Sequence, residues 1–120
     1  MKQTTIKIEL PDYKGYKNFI IHHFYPSLFP FASMMLRLDW HCGYVKIPEE
    51  HPYYDISDIH DPRAVALKVH GGITFSEDHT LGFDTNHYDD DPEKLNQEFV
   101  VNEIHRLIDQ LEEVKNDMQD

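Results

Sequence analysis

A chain of 120 residues is the size of one ordinary domain, and 40% apolar with 12% aromatic content supplies a packed core, so neither a second core nor a disordered chain is expected. The formal charge of −11, from 22 acidic against 11 basic residues, repels phosphate backbones and argues against long nucleic acid as a partner. The single cysteine, Cys42, excludes an intrachain disulfide, no apolar run approaches the roughly 20 residues that span a bilayer, and Met1 to Thr5 leads into a strand pattern instead of a secretory h-region. A single domain over residues 1–120, off the membrane and in the cytoplasm, is therefore expected.

Thr4 to Leu10 alternates, with Ile6, Ile8 and Leu10 on one face and Lys7 and Glu9 on the other, which predicts a half-buried strand. A turn over Pro11 to Gly15 follows, and Phe19 to Tyr25 reads as a second strand or short buried segment that Pro26 and Pro30 end. The period of Phe31 to Leu38 is ambiguous. Gly43 to Ile47 predicts a short strand stopped by Pro48, and Glu49 to Pro62, rich in Asp, His, Pro and Tyr, reads as a long loop. Val65, Leu67 and Val69, then Ile73 and Phe75 beyond Gly71-Gly72, fit two strands or one with a bulge. Ser76 to Thr80 is a polar turn, and Leu81 to Asp84 begins another strand.

Asp91 as a cap, Pro92 at the first helical position and Glu93 in the first turn predict a helix start there. Leu95, Phe99, Val100, Ile104, Leu107, Ile108, Leu111 and Met118 recur at helical spacing beyond it, with residues 116–120 expected to fray. The pattern predicts an α+β fold: a small antiparallel sheet packed against a long C-terminal amphipathic helix.

Nine histidines point to chemistry. His70 precedes Gly71-Gly72 at an expected strand end, and His87 lies just past another, in Asp84-Thr85-Asn86-His87. If those strands are neighbours, His70, Asp84, His87 and one of Asp89 or Asp90 converge. Imidazole with carboxylate suits zinc or another divalent ion, and equally suits an acid/base pair. Glycines let a backbone approach a ligand, so Gly71, Gly72 and Thr74 are candidates for holding a phosphate or carboxylate, although a bulge or tight hairpin explains Gly-Gly equally well. His51 and Tyr54, on the long loop, are candidates to reach over the same site. His22, His23, His41, His60, His79 and His105 are read individually as structural, and Cys42 as an inert thiol.

Three segments, Cys42 to Pro48 with His51-Pro-Tyr-Tyr54, Val69-His-Gly-Gly-Ile-Thr74, and Gly82-Phe-Asp-Thr-Asn-His87, together resemble a family of small, mostly uncharacterised proteins encoded by bacteriophages and prophages. The likeness covers about residues 40–90 and the helix after them. It implies a phage accessory protein in the bacterial cytoplasm, where counter-defence is a recurring purpose, and it carries no activity over residue by residue. The chain departs from the pattern after His87, where Tyr88 stands in place of a small residue.

Three functions follow. The first is binding of a small nucleotide-like or phosphorylated molecule by His70 to Thr74, Asp84 and His87, with His51 and Tyr54 nearby. The second is a hydrolase in which His70, Asp84 and His87 hold a divalent metal. The third is an acidic inhibitor of a host nucleic-acid enzyme. A sheet this small is not expected to cover the whole helix stripe, so a homodimer through the helix or a sheet edge is expected as well.

Overall fold

Alternating side chains over the first two dozen residues build a hairpin of β1 (Thr4–Tyr13) and β2 (Tyr16–Phe24). In the computed structural model, which describes residues 3–25, 39–86 and 94–118, the two strands turn at Lys14 and Gly15. Both turn residues have positive φ, 51° and 86°, the backbone of a two-residue turn whose twist matches the strands. A shift in register between Leu10 and Tyr13 absorbs Pro11 and Asp12. β1 therefore runs on to Tyr13, past the Pro11 at which the sequence pattern puts a turn.

β2 pairs with β3 (Trp40–Lys46), β3 with β5 (Thr80–Asp84), and β5 with the short β4 (Phe75–Glu77). The result is a five-stranded sheet in the order β1-β2-β3-β5-β4 with every neighbour antiparallel. One face is covered by a long helix. Ile20, Val45, Leu81 and Phe83 meet Val100, Ile104, Leu107, Ile108 and Leu111 across that interface, all of them fully or almost fully buried. Burial of each such side chain stabilises the fold by about 1.5–3 kcal/mol. The expected α+β architecture is the observed one. No helix among the described residues is long and apolar enough to cross a membrane.

Between β3 and β4 the chain departs from expectation. Ala64 to Phe75 forms neither two strands nor a bulged one; Pro62–Val65 is a single helical turn, α1, and strand structure appears only at Phe75. Asp61 caps α1 by accepting the Arg63 amide, with Pro62 at the first helical position. Leu67 and Val69 still reach the core, but Val65 is exposed by 62% and Ala64 is buried in its place, so the apolar spacing recorded burial only in part and not conformation. Gly71 and Gly72 both have positive φ, outside the regular strand range, and the chain turns there. The long loop is less polar than its composition suggests, since Ile56 and His51 are both buried.

The C-terminal helix, α2, spans Gln97–Met118. Its described start is capped by Asn96, whose side chain accepts the Phe99 amide at 3.0 Å, so Leu95 precedes the helix; Asp91 to Glu93 lie outside the described residues. The helix continues through Met118, beyond the point at which fraying is expected. Its stripe from Val100 to Leu111 is covered by its own chain, and Met118 alone of the named apolar residues is largely exposed, at 64%. Phe31 to Leu38 lies outside the described residues.

Candidate functional site

The antiparallel register of β2 and β3 sets His22 directly opposite His41. Both side chains stand on the helix-bearing face, since His41 shares its side with Gly43 and Val45 and His22 shares its side with Ile20. Asp39, two residues before His41, falls on that same side. The His22 Nε2 lies 2.7 Å from an Asp39 carboxylate oxygen, and the two imidazoles stack with centroids 4.1 Å apart and planes 7° from parallel. One donor atom from each of His22, Asp39 and His41 lies within 4.8 Å of the other two, and all three residues are half-buried. No other set of this kind occurs among the described residues.

The surroundings hold these groups firmly. The Thr85 hydroxyl donates to the His41 carbonyl at 2.9 Å and accepts its amide at 3.3 Å, while the Thr85 amide also donates to that carbonyl. His41 is thereby tied to the chain leaving β5. Phe24 also stacks on His22, with ring centroids 4.8 Å apart. Burial, reinforced by the neighbouring His22, pushes the His41 imidazole down to about 4, so at neutral pH its ring is uncharged and keeps a lone pair.

Two histidines and a carboxylate can supply three ligands to a first-row divalent ion, leaving further positions for water or another ligand. Donors around a tetrahedral zinc stand about 3.4 Å apart. The donor atoms lie within 4.8 Å of one another, so a bound ion would draw them closer, with the stacked rings splaying so that both lone pairs meet one point. Chain-order reading sets His22 and His41 aside. The available signal is the Asp39-Trp40-His41 spacing, which puts an acid and an imidazole on one side of a strand.

The sequence-derived site residues are distributed differently. His51 is 3% exposed; its Nε2–H donates to the Leu111 carbonyl at 2.8 Å and its Nδ1 accepts the Tyr53 amide at 2.9 Å, so both ring nitrogens are engaged. Tyr54 stacks on His79 at 3.7 Å, beside the β4–β5 turn and next to Thr80. Asp84 ends β5 at its other end, about 13 Å along the strand, and accepts the Asn86 amide. His51 and Tyr54 thus belong to the opposite end of the sheet from Asp84.

The His70 segment is anchored to α2 by two side chains seven residues apart on one face. Glu103 accepts the His70 amide at 2.8 Å, and Gln110 bonds both the amide and the carbonyl of Lys68. The His70 ring meets Phe99 edge-on at 5.6 Å. Gly71 and Gly72 form an open turn, with nothing within 4 Å of the position a Cβ on Gly72 would take, and Thr74 is exposed. His87, Asp89 and Asp90 lie outside the described residues. Cys42 is buried, its thiol pushed up to about 11 by burial and by the charge of Asp84, in keeping with an inert thiol.

No protein-family model, curated protein or solved structure matches this chain.

Proposed function

We propose that this chain binds one divalent transition-metal ion through His22, Asp39 and His41 and offers the ion's open positions to a small phosphorylated or nucleotide-like ligand. The observation that carries the reading is the convergence within 4.8 Å of three donor atoms of the right chemistry, two on the adjacent strands β2 and β3 and one just before β3. Phosphate oxygens are hard anionic donors that complete such a coordination sphere, and a water held in the same position is acidified towards neutrality, which opens the way to hydrolysis. In a phage accessory protein in the bacterial cytoplasm, as the resemblance implies, such a site would sequester or cleave a host nucleotide.

A second reading keeps the ligand at His70, Gly71, Gly72, Thr74 and Asp84, with His87. The left-handed glycine pair, open above Gly72, favours it, because a ligand can approach that backbone closely. One experiment separates the two. Chelator-stripped protein is titrated with Zn²⁺ and Co²⁺, and then with linear and cyclic nucleotides in the presence and absence of metal. Stoichiometric metal binding lost in His22→Ala and in His41→Ala but retained in His70→Ala supports the first reading. Nucleotide binding lost only in His70→Ala supports the second, and absence of metal binding by the wild-type chain removes the first.

A further inference from the structure

The sheet has two edges of very different kind. β4 closes one with three residues, whereas β1 forms the other with ten, and among the described residues only β2 pairs with it. Thr5, Ile6, Lys7 and Glu9 are exposed, Ile6 by 46%. A long row of unpaired amides and carbonyls is a template for another strand. The apolar stripe of α2 from Val100 to Leu111 is already buried within its own chain, which turns attention from the helix to this edge.

The charge pattern of β1 selects the occupant. Ile6, Ile8 and Leu10 share the helix-bearing side with Ile20 and Asn18, and Lys7 and Glu9 share the other side with Phe19 and Ile21. Two copies of β1 related by a two-fold axis run antiparallel, and paired residues must lie on the same side of the sheet. An axis at Lys7 sets lysine against lysine, and an axis at Glu9 sets glutamate against glutamate; like charges directly opposite are destabilising. An axis at Ile6 sets Lys7 against Thr5 and forms no ion pair between the copies, leaving Lys7 with Glu9 of its own chain at 3.0 Å. An axis at Ile8 sets Lys7 of each copy against Glu9 of the other, Ile8 against Ile8, and the exposed Ile6 against Leu10. The irregularity between Leu10 and Tyr13 ends the regular stretch just where this overlap, Thr5 to Pro11, runs out.

We propose that two copies of this chain associate edge to edge through β1, with the axis at Ile8, and so double the five-stranded sheet. The contact is isologous, as closed dimers require. It goes beyond the proposed metal site and does not depend on it.

Light scattering on the full chain from micromolar to submillimolar concentration tests the proposal. The wild type is expected to move from monomer to dimer mass. Glu9→Lys opposes like charges at both pairs and is expected to weaken the dimer by about tenfold or more. The exchange Lys7→Glu with Glu9→Lys restores complementarity in this register alone and is expected to restore the dimer. Circular dichroism checks that each variant keeps the wild-type fold; both positions are exposed in the monomer. A wild type that stays monomeric throughout overturns the proposal. So does a Glu9→Lys protein that dimerises as well as the wild type, or a charge exchange that stays monomeric.

Discussion

Gly43→Ala probes a close approach between the sheet and α2 in the core. A Cβ at position 43 would lie 2.7 Å from Phe83 Cζ, 2.8 Å from Phe83 Cε1 and 3.0 Å from Ile104 Cγ1. Carbon atoms in comfortable contact stand about 3.5–4.0 Å apart, so the ring or the helix has to move by roughly 0.8 Å. Neither has room, since Phe83 is 1% and Ile104 0% exposed. Overpacking of this kind costs about 1–3 kcal/mol. Replacing glycine lowers the entropy of the unfolded chain and returns about 0.4–1 kcal/mol. The net expectation is a destabilisation of about 1–2 kcal/mol, read as a lower urea midpoint at unchanged slope in the fluorescence of Trp40, the single tryptophan. Phe83→Leu in the Gly43→Ala background should recover part of that loss, giving a favourable coupling of about 0.5 kcal/mol or more in a double-mutant cycle. A Gly43→Ala protein as stable as the wild type, or a cycle without coupling, would refute the claim that helix and sheet meet rigidly at this glycine.

Glu103→Ala removes the acceptor of the His70 amide and should cost about 2 kcal/mol, with faster hydrogen exchange over Lys68 to Gly72; unchanged exchange there would show that Glu103 does not hold the segment. Tyr16→Phe removes a 2.7 Å hydrogen bond from a buried phenol to Glu112 and should cost about 1–1.5 kcal/mol near neutrality. Burial and the Glu112 carboxylate both raise the Tyr16 hydroxyl above its ordinary 10.0, so the folded state holds this proton more tightly than the unfolded chain. That contribution is fully present below pH 10 and fades as pH rises above it, so the stability difference between wild type and Tyr16→Phe should shrink in alkali; a constant difference across that range contradicts the assignment.

Much of the fold is legible along the chain because its signals are local. Alternation marks β1, part of β2 and the strand after Gly43; helical spacing marks α2 and the residues it buries. The errors have a common origin. Leu67, Val69 and Ile73 are spaced as in a strand, yet Asp61-Pro62 starts a helical turn and Gly71 and Gly72 bend the chain left-handed, so the apolar contacts arise from irregular backbone. Asn96 caps α2 although it lacks the combined cap-and-proline signal of Asp91-Pro92. Among the histidines, the glycine pair draws attention to His70 because its signal is local. His22 and His41 lie nineteen residues apart in sequence, and no local pattern connects them.

The sequence by itself determined the class of fold and most of the apolar residues that the sheet and α2 bury against each other. Only the tertiary structure decided which polar side chains meet. It put His22 against His41 through strand register, committed His51 to the Leu111 carbonyl and kept Tyr54 at the far end of β5 from Asp84. It also showed that α2 buries Val100 to Leu111 within its own chain, and that β1 is a long edge strand to which only β2 pairs among the described residues. The reason is that period-2 and period-3.6 patterns specify which way a side chain faces within its own element. A site depends on how separate elements are paired, and one residue of slip in the β2–β3 register would carry His22 to the other side of the sheet from His41.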